Sequence, residues 1–170
     1  LHTLKQDPQY EIMGLITTFN RDRNTVNFHG IPDSLVIEQA KMLKLPLQRI
    51  FLPENCSNEE YIDHVGKILA IFSKRGVHHV AFGDIHLKDI RKFREDMLLP
   101  LEMTPLFPLW GMDSKQICKA FFNSGHKALV TSILTSKLDN TFLNCKFDQA
   151  FIERLPEKID PAGENVEFHT

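Results

Sequence analysis

The chain has 170 residues, 42% of them hydrophobic and 25% charged, the balance of one folded domain or of one domain with a small lobe. That balance excludes a disordered tail, a collagen-like repeat and a disulfide miniprotein. Twenty Lys and Arg against 22 Asp and Glu give a net charge of −2. With no global cationic field to draw nucleic acid or an acidic membrane surface, a small ligand is the better expectation.

Residues 12–19, Ile-Met-Gly-Leu-Ile-Thr-Thr-Phe, are rich in β-formers and apolar on both faces, as in a strand covered above and below. Pro32 suits the first turn of a helix in which Val36, Ala40 and Leu43 repeat at i, i+4, i+7, with Glu38 and Lys41 turned outward. Residues 48–52 predict a second strand, stopped by Pro53. Ser57-Asn58-Glu59-Glu60 is a capping box: the Ser57 hydroxyl can accept from the Glu60 amide while the Glu60 carboxylate accepts from the Ser57 amide. The helix it starts buries Val65, Ile68, Leu69 and Phe72 and stops at Gly76. His79-Val80-Ala81-Phe82 is a third strand ending in Gly83-Asp84, and a helix over about 87–98 buries Ile90, Phe93 and Met97. Pro100, Pro105 and Pro108, around Leu106, Phe107, Leu109 and Trp110, make a stiff apolar connector that suits a boundary between sublobes. Asp113 and Gln116 resemble a cap for a helix burying Ile117, Ala120 and Phe121, and residues 127–134 predict one more strand. The last 24 residues hold six acids and two bases, a local charge of −4. Strand, helix, strand, helix, strand in this order predicts parallel pairing through right-handed crossovers, hence an α/β fold with helices on the faces of a parallel sheet.

In such a sheet ligands bind beyond the carboxyl ends of the strands. That selects Thr17, Thr18 and Asn20, then Glu54, Asn55, Cys56 and Ser57, then Gly83, Asp84 and His86. Without a Cβ, Gly83 lets a flat ring or a phosphate approach the backbone, and Asp84 suits a ribose hydroxyl or a hydrated magnesium ion. The same Gly-Asp pair is equally an ordinary turn after a strand. There is no GxxxxGK[ST] and no GxGxxG, so neither a Walker-type nor a Rossmann site is expected, and the amides opening the helix at Ser57 are one candidate phosphate cradle. Cys56, Cys118 and Cys145 lie far apart with no CxxC, which indicates neither a zinc site nor a disulfide framework and points to the reducing cytosol. None of the eight histidines pairs with another at i, i+4 spacing, so a metal cluster is not expected. Cys56 stands just before a helix N-terminus, which would lower its pKa, but no partner base is evident. No apolar run has the length of a membrane span, and no basic-then-apolar leader opens the chain, whose first residue is Leu1. Glu164 and Glu167, in the polar closing segment, share a face on a helix and diverge on a strand, so their joint use requires a turn. A solvated acidic end is the alternative that composition favours.

Six segments, in order along most of the chain, together resemble the diphthine-ammonia ligase family of ATP-binding proteins. They are Gly14-Leu15-Ile16-Thr17-Thr18, His29-Gly30, Cys56-Ser57-Asn58-Glu59-Glu60-Tyr61, Phe82-Gly83-Asp84-Ile85, Pro105-Leu106-Phe107-Pro108-Leu109-Trp110-Gly111 and Gly163-Glu164-Asn165-Val166-Glu167-Phe168-His169-Thr170. The Cys-Ser-Asn-Glu-Glu and Phe-His-Thr stretches resemble the short bacterial branch. The resemblance implies an adenine nucleotide alpha hydrolase-like fold of the ATP-pyrophosphatase type, with a nucleotide-binding domain over 1–103 and a small C-terminal substrate sublobe over 104–170. It implies a cytoplasmic ligase that uses ATP and magnesium to adenylate a carboxylate, free or protein-borne, before amidation, with release of pyrophosphate. Adenylation gives the carboxylate a good leaving group, and magnesium with amide donors stabilises the charge developing on the α-phosphoryl group. In eukaryotic and archaeal members the acid is diphthine on translation elongation factor 2; bacteria lack diphthamide, so the acid of the bacterial branch stays open, as does a homo-oligomer.

Carried over position by position, the resemblance implies nucleotide contacts for Gly83 and Asp84, and the strand-end residues Thr17 and Thr18 complete the expected nucleotide-binding set. It implies substrate contacts for Arg91, Glu95, Asn165 and His169, and catalytic roles on substrate or magnesium for Glu164 and Glu167. The alternatives are a non-catalytic adenine-nucleotide-binding protein and a family member acting on an unrelated carboxylate. Two departures stand out. The family opens with a strand and a Ser-Gly-Gly-Lys-Asp-Ser pyrophosphate loop, and Leu1–Lys5 corresponds to the helix after that loop, so a chain starting there is expected to hold ATP poorly. Val166 stands where the bacterial-type motif has glycine, which bears on any contact that needs a positive φ at that position.

Overall fold

The computed structural model describes residues 1–23, 25–27 and 31–170, so the His29-Gly30 segment lies outside the described residues. Two compact units divide the chain: residues 1–82 with 92–108, and residues 83–91 with 109–170.

The first unit opens with the single-turn helix α1 (His2–Lys5). Strand β1 (Leu15–Asn20) pairs in parallel with β3 (Leu47–Leu52) and, at its far end, antiparallel with β2 (Thr25–Val26). The expected strand over 12–19 is thus shorter at its start: the ladder begins where the Leu15 amide reaches the Pro46 carbonyl at 2.8 Å. Helix α2 (Asp33–Leu43) makes the crossover, with Pro32 at its N-cap, just outside the first turn. Helix α3 (Asn58–Ser73) starts at the capping box read from the sequence. The Ser57 amide donates to the Glu60 carboxylate at 2.8 Å and the Glu60 amide to the Ser57 hydroxyl at 3.2 Å. Beyond its end the Val77 amide donates to the Phe72 carbonyl at 3.1 Å, a reversal for which Gly76 takes φ +86°. Strand β4 (His79–Ala81) runs parallel to β5 (Thr104–Leu106), with α4 (Lys88–Leu98) between them in sequence.

The protein is therefore mixed α/β with two parallel strand–helix–strand pairs, but its sheets are small. Among the described residues β1/β3 and β4/β5 share no ladder, in contrast to the single parallel sheet expected. Side chains join them instead: Ile50, Leu52, Val65, Leu69, Met97, Leu98 and Met103 form one buried cluster, with Val80 and Phe82 packed against it. Each such side chain, fully buried, contributes about 1.5–3 kcal/mol.

In the second unit, α5 (Ser114–Asn123) starts where the Asp113 carboxylate accepts the Gln116 amide at 3.0 Å, as the sequence predicts. The strand expected over 127–134 is divided between two partners. Phe147 donates to Ala128 and Asn144 to Val130 at 2.9 Å each, while only β6 (Ser132–Ile133) pairs, antiparallel, with β7 (Phe168–His169). Helix α6 (Gln149–Arg154) is capped by Asp148 on the Phe151 amide at 3.0 Å. Val130, Leu138, Phe142, Phe151, Ile159 and Phe168 form this unit's core, the Phe151 and Phe168 rings meeting edge to face at 5.1 Å. Among the described residues no helix is long and apolar enough to cross a membrane.

Candidate functional site

The terminal turn of the second unit is built from carboxylates that accept from backbone amides. Asp160 receives the amides of Ala162 at 3.1 Å and Glu164 at 3.3 Å, and the Gly163 amide reaches the Asp160 carbonyl at 2.9 Å. Gly163 takes φ +69°, and a Cβ there would lie 2.8 Å from the Phe168 carbonyl oxygen, so only glycine fits. The Val166 amide closes the turn on the Gly163 carbonyl at 3.0 Å. Val166 itself has φ 62°, a left-handed conformation that a β-branched residue adopts only under constraint. A conformation natural to glycine is thus held here by valine.

This turn sends the two glutamates to different partners. Glu164 Oε1 accepts from the Ile85 amide at 2.8 Å and from the His86 amide at 3.5 Å, fastening the turn to the loop that follows β4. Glu167 is 1% exposed. Its Oε1 accepts from the Asp160 amide at 3.5 Å and its Oε2 from the Asn165 amide at 3.1 Å, and the Lys137 ammonium lies 3.7 Å from Oε1. Glu164 ties turn to loop, and Glu167 ties the turn to itself.

The loop is fixed from its other side as well. The Gly111 amide donates to the Ile85 carbonyl at 2.8 Å, Ile85 is buried, and His86 Nε2 stands 3.8 Å from Asp160 Oδ2. Arg91, in the first turn of α4, places its guanidinium 4.6 Å above the Trp110 ring, a cation–π contact that fixes a positive charge. Gly83 is exposed, and a Cβ there would meet nothing within 4 Å, so the protein's own packing does not demand glycine and the space beside it is open. Asp84 is half-buried and Asn165 exposed. The His169 carbonyl accepts from the Thr131 amide at 2.8 Å, next to the β6–β7 ladder.

The second unit therefore contains Gly83, Asp84, Arg91, Glu164, Asn165, Glu167 and His169; Thr17, Thr18 and Glu95 belong to the first. There Thr17 and Thr18 are half-buried on β1, opposite Arg49 and Ile50 of β3, and Glu95 is half-buried on α4. Two further residues picked from the strand ends serve the fold. The side-chain oxygen of Asn20 accepts from the amides of Asp22 at 2.9 Å and Arg23 at 3.0 Å, and Glu54 pairs with Arg23.

Cys56 departs from expectation. Its thiol pKa is raised, first by burial and then by the Glu60 carboxylate, because the capping box sets a negative charge beside the helix start. Burial, with Asp160 next in weight, pushes the Cys118 thiol up to about 11. Neither thiol is a poised nucleophile. Asp160 and Lys137 escaped the sequence reading. The Asp160-Pro161 dipeptide is a turn signal that marks the first; nothing local marks Lys137.

Among the described residues no group of three His, Cys, Asp or Glu is arranged to hold a metal ion. The carboxylates of Asp160, Glu164 and Glu167 face N–H donors, so this donor set is no protein-only magnesium cage. Magnesium carried by nucleotide phosphates asks for only one or two protein carboxylates. Compared with known proteins, the chain matches no family model and no curated protein.

Proposed function

We propose that the protein is an ATP-dependent, AMP-forming ligase that adenylates a carboxylate before joining it to an amine, on an adenine nucleotide alpha hydrolase-like fold with a small C-terminal lobe. The observation that carries this reading is the grip of Glu164 on the Ile85 and His86 amides. It fastens the segment that the resemblance makes substrate-handling to the loop that it makes nucleotide-handling, and loops after parallel strands are where ligands of α/β folds lie. In this role Gly83 and Asp84 meet the nucleotide. Arg91, stacked on Trp110, presents a fixed cation to negative charge that develops during adenylation. Glu164 holds loop and turn in one arrangement. Glu167, buried and bonded to its own turn, is read as a positioning residue. Magnesium, when bound with ATP, supplies charge neutralisation on the phosphates.

The test is to incubate the full-length protein with ATP, magnesium, ammonia and a panel of carboxylates. Pyrophosphate and AMP are expected in equal amounts and only with the right acid. A second reading, an adenine-nucleotide-binding module without turnover, is favoured by the engagement of both glutamates with backbone amides. Tight ATP binding with no pyrophosphate from any acid would select that module, and absence of nucleotide binding would refute both.

A further inference from the structure

The terminal turn of the second unit keeps two carboxylates from water: Glu167 is 1% exposed and the Asp160 side chain 8%. Glu167 Oε2 accepts from the Asn165 amide at 3.1 Å, but the Asp160 amide stands 3.5 Å from Oε1, at the long limit of a hydrogen bond. Two neutral dipoles at these distances leave much of a buried charge unbalanced. The Lys137 ammonium, 3.7 Å from Oε1, supplies the counter-charge.

This pair differs from the other lysine ion pairs among the described residues. Lys41 with Glu38, Lys67 with Asp63 and Lys92 with Asp96 lie one turn apart on helix surfaces, and in each pair both side chains are more than half exposed, so losing the charge there costs the fold little. Lys137 reaches a buried partner from a different segment, and its own backbone is tied to that partner. The Leu134 amide donates to the Glu167 carbonyl at 2.8 Å, the Lys137 amide donates to the Leu134 carbonyl at 2.8 Å, and Leu138 beside it is buried. Yet the Lys137 side chain is 42% exposed and lines an open cleft of about 540 Å³ with Pro156 and Ile159 among its walls. A reagent can reach Nζ, and a short acyl group placed on it has room and apolar surface to lie on.

We propose that Lys137 is a regulatory acylation site, at which transfer of a short acyl group to Nζ removes the counter-charge of Glu167 and loosens the terminal turn that aims Glu164. The donor is an activated acyl compound such as an acyl phosphate. The ammonium gives one proton to solvent, and the freed lone pair attacks the acyl carbon. The N–C bond forms as the C–O bond to phosphate breaks, inorganic phosphate leaves with that electron pair, and the new amide sheds its second proton. The product is neutral. Glu167 then stays buried without its partner, which is the costly way to break a buried pair. Admitting water to its carboxylate opens the Asn165 and Asp160 contacts and, through the same turn, the bond from the Ile85 amide to Glu164. None of this requires a nucleotide, so the site goes beyond the ligase reading and does not depend on it.

The test has two arms, both on the full-length protein without ATP. In the first, the folded protein is incubated with acetyl phosphate and its lysines are mapped by mass spectrometry; acetylation at Lys137 is expected, and its absence would overturn the proposal. In the second, hydrogen exchange is compared between the wild type and a chain carrying acetyl-lysine at position 137. Exchange at the Asn165 and Ile85 amides should rise about tenfold, the equivalent of one hydrogen bond to a charged group discounted for the exposure of Lys137, with amides of α3 unchanged. Lys137→Arg keeps the charge and should exchange like the wild type. In Glu167→Gln, which has no buried charge to strand, acetylation at 137 should no longer alter exchange. Wild-type exchange in the acetylated chain, or an acetylation effect that persists in full in Glu167→Gln, would overturn the proposal. Should the acetylated chain fail to fold, Glu167→Gln must restore its folding; an acetylated Glu167→Gln chain that stays unfolded would count equally against the proposal.

Discussion

The left-handed valine in the terminal turn gives the sharpest test of how that turn is held. At an ordinary position, replacing alanine by glycine destabilises a protein, because the unfolded glycine chain has more freedom to lose, by about 0.4–1 kcal/mol. At φ 62° the sign should reverse. An L-residue in the left-handed region pays about 1–2 kcal/mol that glycine does not. Setting the two against each other leaves Val166→Gly more stable than Val166→Ala by roughly 0.5–1 kcal/mol. Comparing these two variants with each other removes the valine side chain from both, so its partial burial, at 60% exposure, cancels. For a chain of this size the difference is about 1–4 °C in melting temperature, read by calorimetry or by the urea midpoint. An alanine variant as stable as the glycine variant would mean that residue 166 is not left-handed in solution. The account of the turn that aims Glu164 at the Ile85 amide would then fail with it.

Glu164→Ala should speed hydrogen exchange at the Ile85 amide by about 10–100-fold, the equivalent of one hydrogen bond to a charged acceptor, with little change at amides of α3; unchanged exchange at Ile85 would break the link between turn and loop. Ser57→Ala should destabilise α3 by about 1 kcal/mol, measured by urea unfolding near neutral pH. The Glu60 carboxyl is held below its usual range, first by the Ser57 amide and then by the Ser57 hydroxyl. Its contribution is therefore present above the unfolded carboxylate pKa and lost as pH falls through the folded one. The gap between wild type and Ser57→Ala should accordingly narrow from about pH 7 to about pH 3, and a gap that widens in acid would contradict the sign. Cys118, with its pKa at about 11, should react with iodoacetamide about 100-fold more slowly at pH 8 than an unperturbed thiol, counting thiolate fraction alone, and reach the unperturbed rate in denaturant. Fast labelling of the folded chain would show that its burial is not maintained.

What could be read from the sequence follows from the reach of each interaction. The capping box at Ser57 and the cap at Asp113 involve partners three residues apart, so residue type and spacing suffice to place them, and both stand where they were expected. Apolar spacing located α2 to α5, and strand-forming runs located β1, β3 and β4, because burial of one helix face or of a short β-rich run leaves a local trace. Which strands share a ladder leaves none. The run over 127–134 has the composition of a strand, yet its residues divide between the 144–147 segment and β7. A period-two pattern does not say how many partners it will have.

The site divides along the same line. Glu164 and Glu167 were singled out, but the partner of Glu164 lies 79 residues back in the chain, and no local pattern connects a carboxylate to a particular amide at that distance. Position 166 is the intermediate case. The resemblance places a glycine there, which signals a demand for positive φ, and valine at that place reads as a sign that the demand has lapsed. The backbone keeps the left-handed turn regardless. Strain of that kind persists only where surrounding contacts over-determine the conformation, and those contacts are identifiable: the glycine-only corner at Gly163, the two amides received by Asp160, and the two received by Glu167. Apart from the Val166 amide's own bond to the Gly163 carbonyl, each of them acts on a residue other than 166. The conformation of the turn is therefore a property of its neighbours, which is why a substitution at its most strained point changes its stability before it changes the direction in which Glu164 points.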